Sequence, residues 1–388
     1  MLCISTSIAF VGKASLSRGS LSRSSCRLFS SSSSIIGVDS SISRLSTLQT
    51  MLAKYGAPGS TGCTKENDLE PILPSQDAPE LLASMTDAED DELSNLHPYL
   101  YPIAKSKSSG NLICALRNAY ATEGDLDNPW PIVESTIGGP GMQLLSLNSE
   151  HLMRRIACEK DFAGDDKEAV DMYNDGLGQG LMKDKVFDSP YVVGDVEKLG
   201  YGAEKYSLLR VGPFPDLYRT MSLQHSERDD EASSLIAAEA ANGKFSQFGS
   251  TYRFYARLLD SFHQREEEAR DASRMCLRLP LPTIGLTRED FKEVAVLGLI
   301  ADKGDSEEEA MVKLQVMYEK IREHEKEDDP QANQGMTPEQ MAADEANYLL
   351  DTTALTGGPW RDTRAKLAEI FRSVGKEDMA AFVNPYKP

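Results

Sequence analysis

From position 252 the apolar residues fall at one repeated spacing: Tyr252, Tyr255, Leu259 and Phe262, then Ala269, Ala272, Cys276 and Leu279. Steps of three and four residues place each set on one face of an α-helix, and two such stripes in succession bury each other most simply as a packed pair. The same reasoning makes the chain helical from about position 149. Leu152, Ile156 and Phe162 begin one amphipathic stretch. Ala169, Val170, Met172 and Tyr173 carry another as far as Gly176, and Leu235, Ile236 and the Ala-rich segment 237–241 form a third before Gly243.

Helix starts are marked as clearly as helix faces. Thr287-x-x-Asp290, Ser306-x-x-Glu309 and Thr337-Pro338-x-Gln340 are capping boxes, in which side chains satisfy the backbone donors exposed at a helix N-terminus. The helix from Glu307 puts Ala310, Leu314, Met317 and Ile321 on its inner face. A last helix follows Gly357-Gly358-Pro359, with Leu367, Ile370, Phe371 and Val374 inward before Gly375. Ser207–Val211, closed by Pro213 and Pro215, reads as extended.

The N-terminal part is different in kind. Ile42, Leu45, Leu48 and Leu52 outline one short helix that Gly56 stops, and residues 57–96 are rich in Pro, Gly and acid. Region 39–96 therefore reads as a short helix followed by a mobile acidic linker, with a possible cap at Thr86-x-x-Glu89. In 97–148, segments 103–105 and 112–116 flank a turn-like Ser106–Gly110 and predict a hairpin. Trp130 between two prolines, then Gly138-Gly139-Pro140-Gly141, reads as an irregular connection. The expected fold is mainly α: an all-helical array over 149–388 behind a small strand-containing N-terminal region.

Residues 1–38 carry Lys13, Arg18, Arg23 and Arg27, no acid and abundant Ser, the composition of a disordered organelle transit peptide. Arg27-Leu28-Phe29-Ser30-Ser31 resembles the cleavage pattern of mitochondrial presequences, and Ala9-Phe10 resembles the cleavage motif of bipartite plastid leaders. Leu2–Ala9 lacks a basic flank, so the mitochondrial matrix ranks above the plastid stroma. Without the leader's four positive charges, the 41 basic residues become 37 against 61 acidic, about −24. That field opposes nucleic acid, and no basic cluster follows Arg27. With 40% hydrophobic residues, and no apolar run near the roughly 20 needed to span a bilayer, the chain reads as soluble and globular.

No catalytic, cofactor or metal residue is assigned. The glycines of Gly176-Leu177-Gly178-Gln179-Gly180 follow a helical stretch, where a dinucleotide loop needs them between a strand and a helix. His97, His151, His225, His263 and His324 show no ligand spacing. Cys158, behind Arg154 and Arg155, reads as a buried structural thiol in preference to an activated one. Tyr252, Tyr255, Ala256 and Leu259, with Ala272 and Pro280, resemble one tetratricopeptide helix pair, although Glu268 stands where that family has a small residue and no 34-residue recurrence follows. The resemblance covers less than a tenth of the chain and implies helix-pair packing.

These features point to protein–protein interaction, an assembly or accessory factor of an organellar complex, with Arg210, Tyr252, Arg253 and Tyr255 as the expected contact residues. The alternative is an enzyme whose active site is assembled from Trp130–Met142 and Arg210–Tyr218.

Overall fold

The computed structural model describes residues 36–72, 91–117, 130–164, 167–178, 190–328 and 336–385. Most of the leader, the Thr86–Glu89 cap and the end of the glycine run at 179–180 lie outside them.

The chain enters through helix α1 (Ile36–Tyr55), which begins earlier than its apolar stripe suggests and ends at Gly56, whose positive φ suits glycine. Five strands follow as an antiparallel meander in chain order: β1 (Leu69–Pro71), β2 (Leu100–Ser106), β3 (Leu112–Leu116), β4 (Ile132–Ser135) and β5 (Met142–Ser146). A short helical turn, α2 (Asp91–Ser94), precedes β2. The expected hairpin is β2–β3, with Lys105 opposite Leu112 and a register shift between Pro102 and Ala104. Proline has no N–H to give the ladder, so an irregularity there is natural.

The segment from Trp130 to Met142 is not an irregular connection but β4, a glycine turn and the start of β5. Its strands were hidden because both β3 and β4 are buried along their whole length, and a strand covered on both faces shows no alternation. Residues 57–72 are no mobile linker either, since Ala57, Cys63 and Leu69 are core residues and Leu69–Pro71 is the edge strand. What holds them is Glu134 of β4. Its fully buried carboxylate accepts the Thr61 N–H at 2.7 Å, the Gly62 N–H at 2.9 Å, the Thr61 hydroxyl and the Asn111 amide. A buried charge needs such partners, so the loop and the strand stabilise each other.

The helical array follows. Helix α3 (Ser149–Ala163) is capped by Asn148 at its start and by left-handed Gly164 at its end. Helix α4 (Lys167–Gly178) runs through Gly176, which does not stop it but lets it approach α1: a Cβ there would lie 2.6 Å from the Thr47 methyl. Helices α5 (Asp195–Leu199) and α6 (Gly202–Tyr206) lead into Ser207–Val211, which is a π-helical turn and not extended. Ser207 and Val211 are buried while Leu209 and Arg210 are exposed, and Pro215 opens the next helix where a missing N–H is harmless.

Helices α7 (Pro215–Ser226), α8 (Glu231–Lys244), α9 (Gly249–Ser261), α10 (Glu266–Cys276), α11 (Arg288–Leu297), α12 (Glu307–Asp328), α13 (Pro338–Thr356), α14 (Trp360–Ser373) and α15 (Glu377–Val383) complete the fold, with a 3-10 turn at Leu281–Thr283. Gly243 lies inside α8, and α14 is followed by one more helix, whose Met379, Ala380, Phe382 and Val383 are buried. The predicted pair is α9–α10. Ala256, Leu258 and Leu259 pack with Ala269, Ala272, Leu235 and Ala238, while Tyr252 and Cys276 join the main core. The three predicted capping boxes are formed. Phe162, Ile236 and Ile321 instead face solvent, at 48%, 66% and 46% exposure. Along α12 burial fades from Ala310 and Leu314 through Met317 to Ile321, so the helix outruns its packing. Helix lengths in α7–α12 run from 10 to 22 residues.

The C-terminal helices close back on the sheet region. Arg364 of α14 donates to the carbonyls of Ser94, Leu96 and Val383 at 2.7, 2.5 and 2.8 Å. Trp360 donates through its indole to the Gly139 carbonyl at 2.8 Å and stacks edge-on against His97 at 4.6 Å. Burial, then the nearby Arg364 charge, lowers the His97 pKa to about 3 and keeps that ring neutral.

Candidate protein-binding cleft

The N-terminus of α7 is fixed from below. Arg155 of α3 grips Asp216 with two hydrogen bonds, 2.8 and 2.6 Å, and holds Glu159 at 2.7 Å, while its guanidinium lies over the Phe214 ring. Beside it, α8 packs closely on α7 because Ser222 and Ser234 meet there, one hydroxyl donating to the Ser234 carbonyl at 2.9 Å. Helix α9 begins at Gly249, where a Cβ would lie 2.7 Å from the Ile284 side chain. These constraints leave a cleft between the start of α7, the end of α8, the outer face of α9 and Gln143–Leu144 of β5.

Three arginines line it: Arg219 from α7, and Arg253 and Arg257 from α9, with Phe254 between the latter two. Arg253 pairs with Asp290 and reaches Glu293 at 3.8 Å, and Arg257 shares Glu293 at 3.5 Å. Among the described residues Arg219 makes no ion pair, and it is exposed. Burial first, with the neighbouring Arg257 and Arg219 adding to it, lowers the Arg253 pKa, against the opposing pull of Glu293. The one carboxylate lining the cleft, Asp216, is already engaged by Arg155. The cleft holds about 60 Å³, well below the several hundred typical of small-molecule pockets.

The residues singled out in the sequence divide. Arg253 lines the cleft. Tyr252 is half-buried against the core, with its hydroxyl pKa raised by burial. Tyr255 donates to Glu239 of α8 at 2.8 Å and so ties the two helices together. Arg210 is exposed on the π-helical turn and is not among the lining residues. Missed were Arg219, Arg257 and Phe254. One signal was present: Arg253 and Arg257 are like charges one turn apart, an arrangement unfavourable to an isolated helix.

Of the two segments of the enzyme alternative, Arg210–Tyr218 reaches the cleft through Pro215 and Asp216 and Trp130–Met142 contributes none of its lining residues; no histidine is among them. Trp130 packs between Tyr101 and Phe382. Cys158 is buried, and burial pushes its thiol up to about 12 despite the Arg154 charge, which leaves it protonated. His151 is held neutral by burial, with a pKa of about 4. Among the described residues no three His, Cys, Asp or Glu gather as a metal site, and no helix is long and apolar enough to cross a membrane.

Residues 215–301 match the family model described as PAB middle domain, and residues 314–386 match the one described as PAB C-terminal domain. The first match contains every helical residue of the cleft. Over 291 residues the chain is 28% identical to an Arabidopsis thaliana protein named Protein IN CHLOROPLAST ATPASE BIOGENESIS, chloroplastic, an alignment that spans 74% of this chain and 78% of that one. No solved structure matches. The relative's name agrees with the plastid alternative and gives no support to ranking the mitochondrion first.

Proposed function

We propose that this protein is an assembly factor of a plastid, acting in the biogenesis of an ATPase by holding a partner protein and not by catalysing a reaction. The observation that carries this reading is the similarity to the chloroplast ATPase biogenesis protein, which runs over about three quarters of both chains and includes the cleft. The cleft is compatible with it. A stack of helices presents a cleft lined by three arginines and Phe254, and such residues commonly anchor protein contacts. The Ser- and Arg-rich leader is the import signal, and the net charge of −20 opposes a nucleic-acid partner.

The test is depletion of the protein in a plastid-bearing cell, followed by native electrophoresis of the organelle's complexes and sequencing of the mature N-terminus. Loss of assembled ATPase, with the other complexes unchanged and a processed N-terminus beyond the Ser-rich leader, is the expected result. Normal ATPase levels in depleted plastids would refute the assembly role.

A further inference from the structure

We infer that the cleft of Arg219, Arg253 and Arg257 receives a carboxylate side chain from an acidic segment of the partner protein. This rests on the protein-binding reading above and names the chemistry of the partner. In a chain with a formal charge of −20, three arginines converge on one small cleft, where Arg253 and Arg257 share Asp290 and Glu293 and the carboxylate in the lining, Asp216, is locked by Arg155. Arg219 is left without an ion pair among the described residues although acids outnumber bases 61 to 41.

Arg219, Arg253, Arg257 and Gln143 offer N–H groups around the cleft, and a planar guanidinium matches a carboxylate fork in geometry as well as charge. The space of about 60 Å³ is enough for a side-chain head group. Asp290 and Glu293 offset the charge of Arg253 and Arg257, so the attraction left over for an anion is centred on Arg219.

The experiment uses the full mature chain and a fluorescein-labelled peptide of ten glutamates, followed by anisotropy at about 50 mM salt, where exposed charges are incompletely screened. The expected result is binding that weakens by about tenfold or more in Arg219→Glu/Arg257→Glu. A control, Arg228→Glu/Lys303→Glu, changes net charge equally at residues outside the cleft and should lose less than about threefold. Arg219→Gln, at an exposed residue with no ion pair to break, should reproduce part of the loss without affecting folding.

Equal losses in the two double variants would overturn the inference, because the attraction would then be that of the whole surface. Absence of binding to the wild type would overturn it too, as would displacement of the peptide by sub-millimolar inorganic phosphate or ATP, which would make the cleft a phosphate site. If the Arg219→Glu/Arg257→Glu chain still restores ATPase assembly and co-purifies the same subunits in wild-type amounts, the cleft assignment fails while the assembly role stands.

Discussion

Replacing Arg364 with Ala should unfasten α14 from the segment that leads into β2. The guanidinium is 4% exposed in its residue and donates to three carbonyls, those of Ser94, Leu96 and Val383. A hydrogen bond from a charged donor contributes roughly 1.5–3 kcal/mol, and a carbonyl left buried without a donor costs about 1–3 kcal/mol. The three bonds share one donor group and are not additive, so a loss of about 4 kcal/mol is the reasonable expectation. That is a large part of the roughly 5–15 kcal/mol that holds a typical domain together. Both tryptophans report on this contact, since Trp360 stacks on His97 and Trp130 on Phe382 of α15. Thermal unfolding followed by tryptophan emission should therefore show a fall in Tm of roughly 5–10 °C. Arg364→Lys keeps the charge but has no fork to reach three acceptors, and should recover less than about half of the loss. An Arg364→Ala chain that melts within about 2 °C of wild type, or full recovery by lysine, would refute the clamp.

Leu299→Gly should stabilise the protein. Leu299 has φ +57 at the end of α11, in a Schellman turn where its N–H bonds Val296 and the N–H of Ile300 bonds Ala295, and its side chain is 72% exposed. Relief of about 1–2 kcal/mol of left-handed strain, less the greater freedom of glycine in the unfolded chain, leaves a net gain of about 0.5–1 kcal/mol, read as a small rise in Tm. A fall in Tm would show that the Leu299 side chain supports the fold. Asp351→Asn should stabilise more at pH 8 than at pH 5.5. Burial pushes the Asp351 carboxyl up to about 7 while it accepts the Leu281 N–H at 2.8 Å, so its ionised form weakens the fold increasingly between about pH 4 and 7 and fully above that. The difference between the two pH values should be about 2 kcal/mol, and an equal effect at both would refute it. In this variant the neutral His97 and His151 should dominate the acid limb, stability being present above about pH 6.5 and lost as pH falls towards 4.

Where a helix face meets a partner, the periodicity of the apolar residues made the fold legible: the α9–α10 stripes and the capping boxes stand where the spacing put them. The sheet was half legible. β2 and β3 were marked by the turn between them, whereas β4 lies in a run buried on every residue and carries no periodic signal. Residues 57–72 read as linker because their composition is that of a linker. Their order is imposed from a distance by Glu134, more than 70 residues along the chain, and local composition cannot report a long-range contact. Gly176 taught the same lesson in reverse, since its reason for being glycine is Thr47 of another helix.

The cleft was less legible than the fold, for a related reason. Arg253 stood out because it shares a helix with two tyrosines, but those tyrosines serve packing and a bond between helices. Arg219 comes from a different helix, and only the meeting of α7 with α9 gives it a role. In a chain this acidic, an arginine without an ion pair is worth more attention than an aromatic residue on a stripe, because core packing already accounts for the aromatic and nothing within the described fold accounts for the free charge. The partner that would account for it must bring negative charge against a strongly negative surface. Only a short acidic segment directed into the cleft, and not a broad acidic face, can gain from Arg219 and Arg257 without meeting the repulsion of the remaining surface.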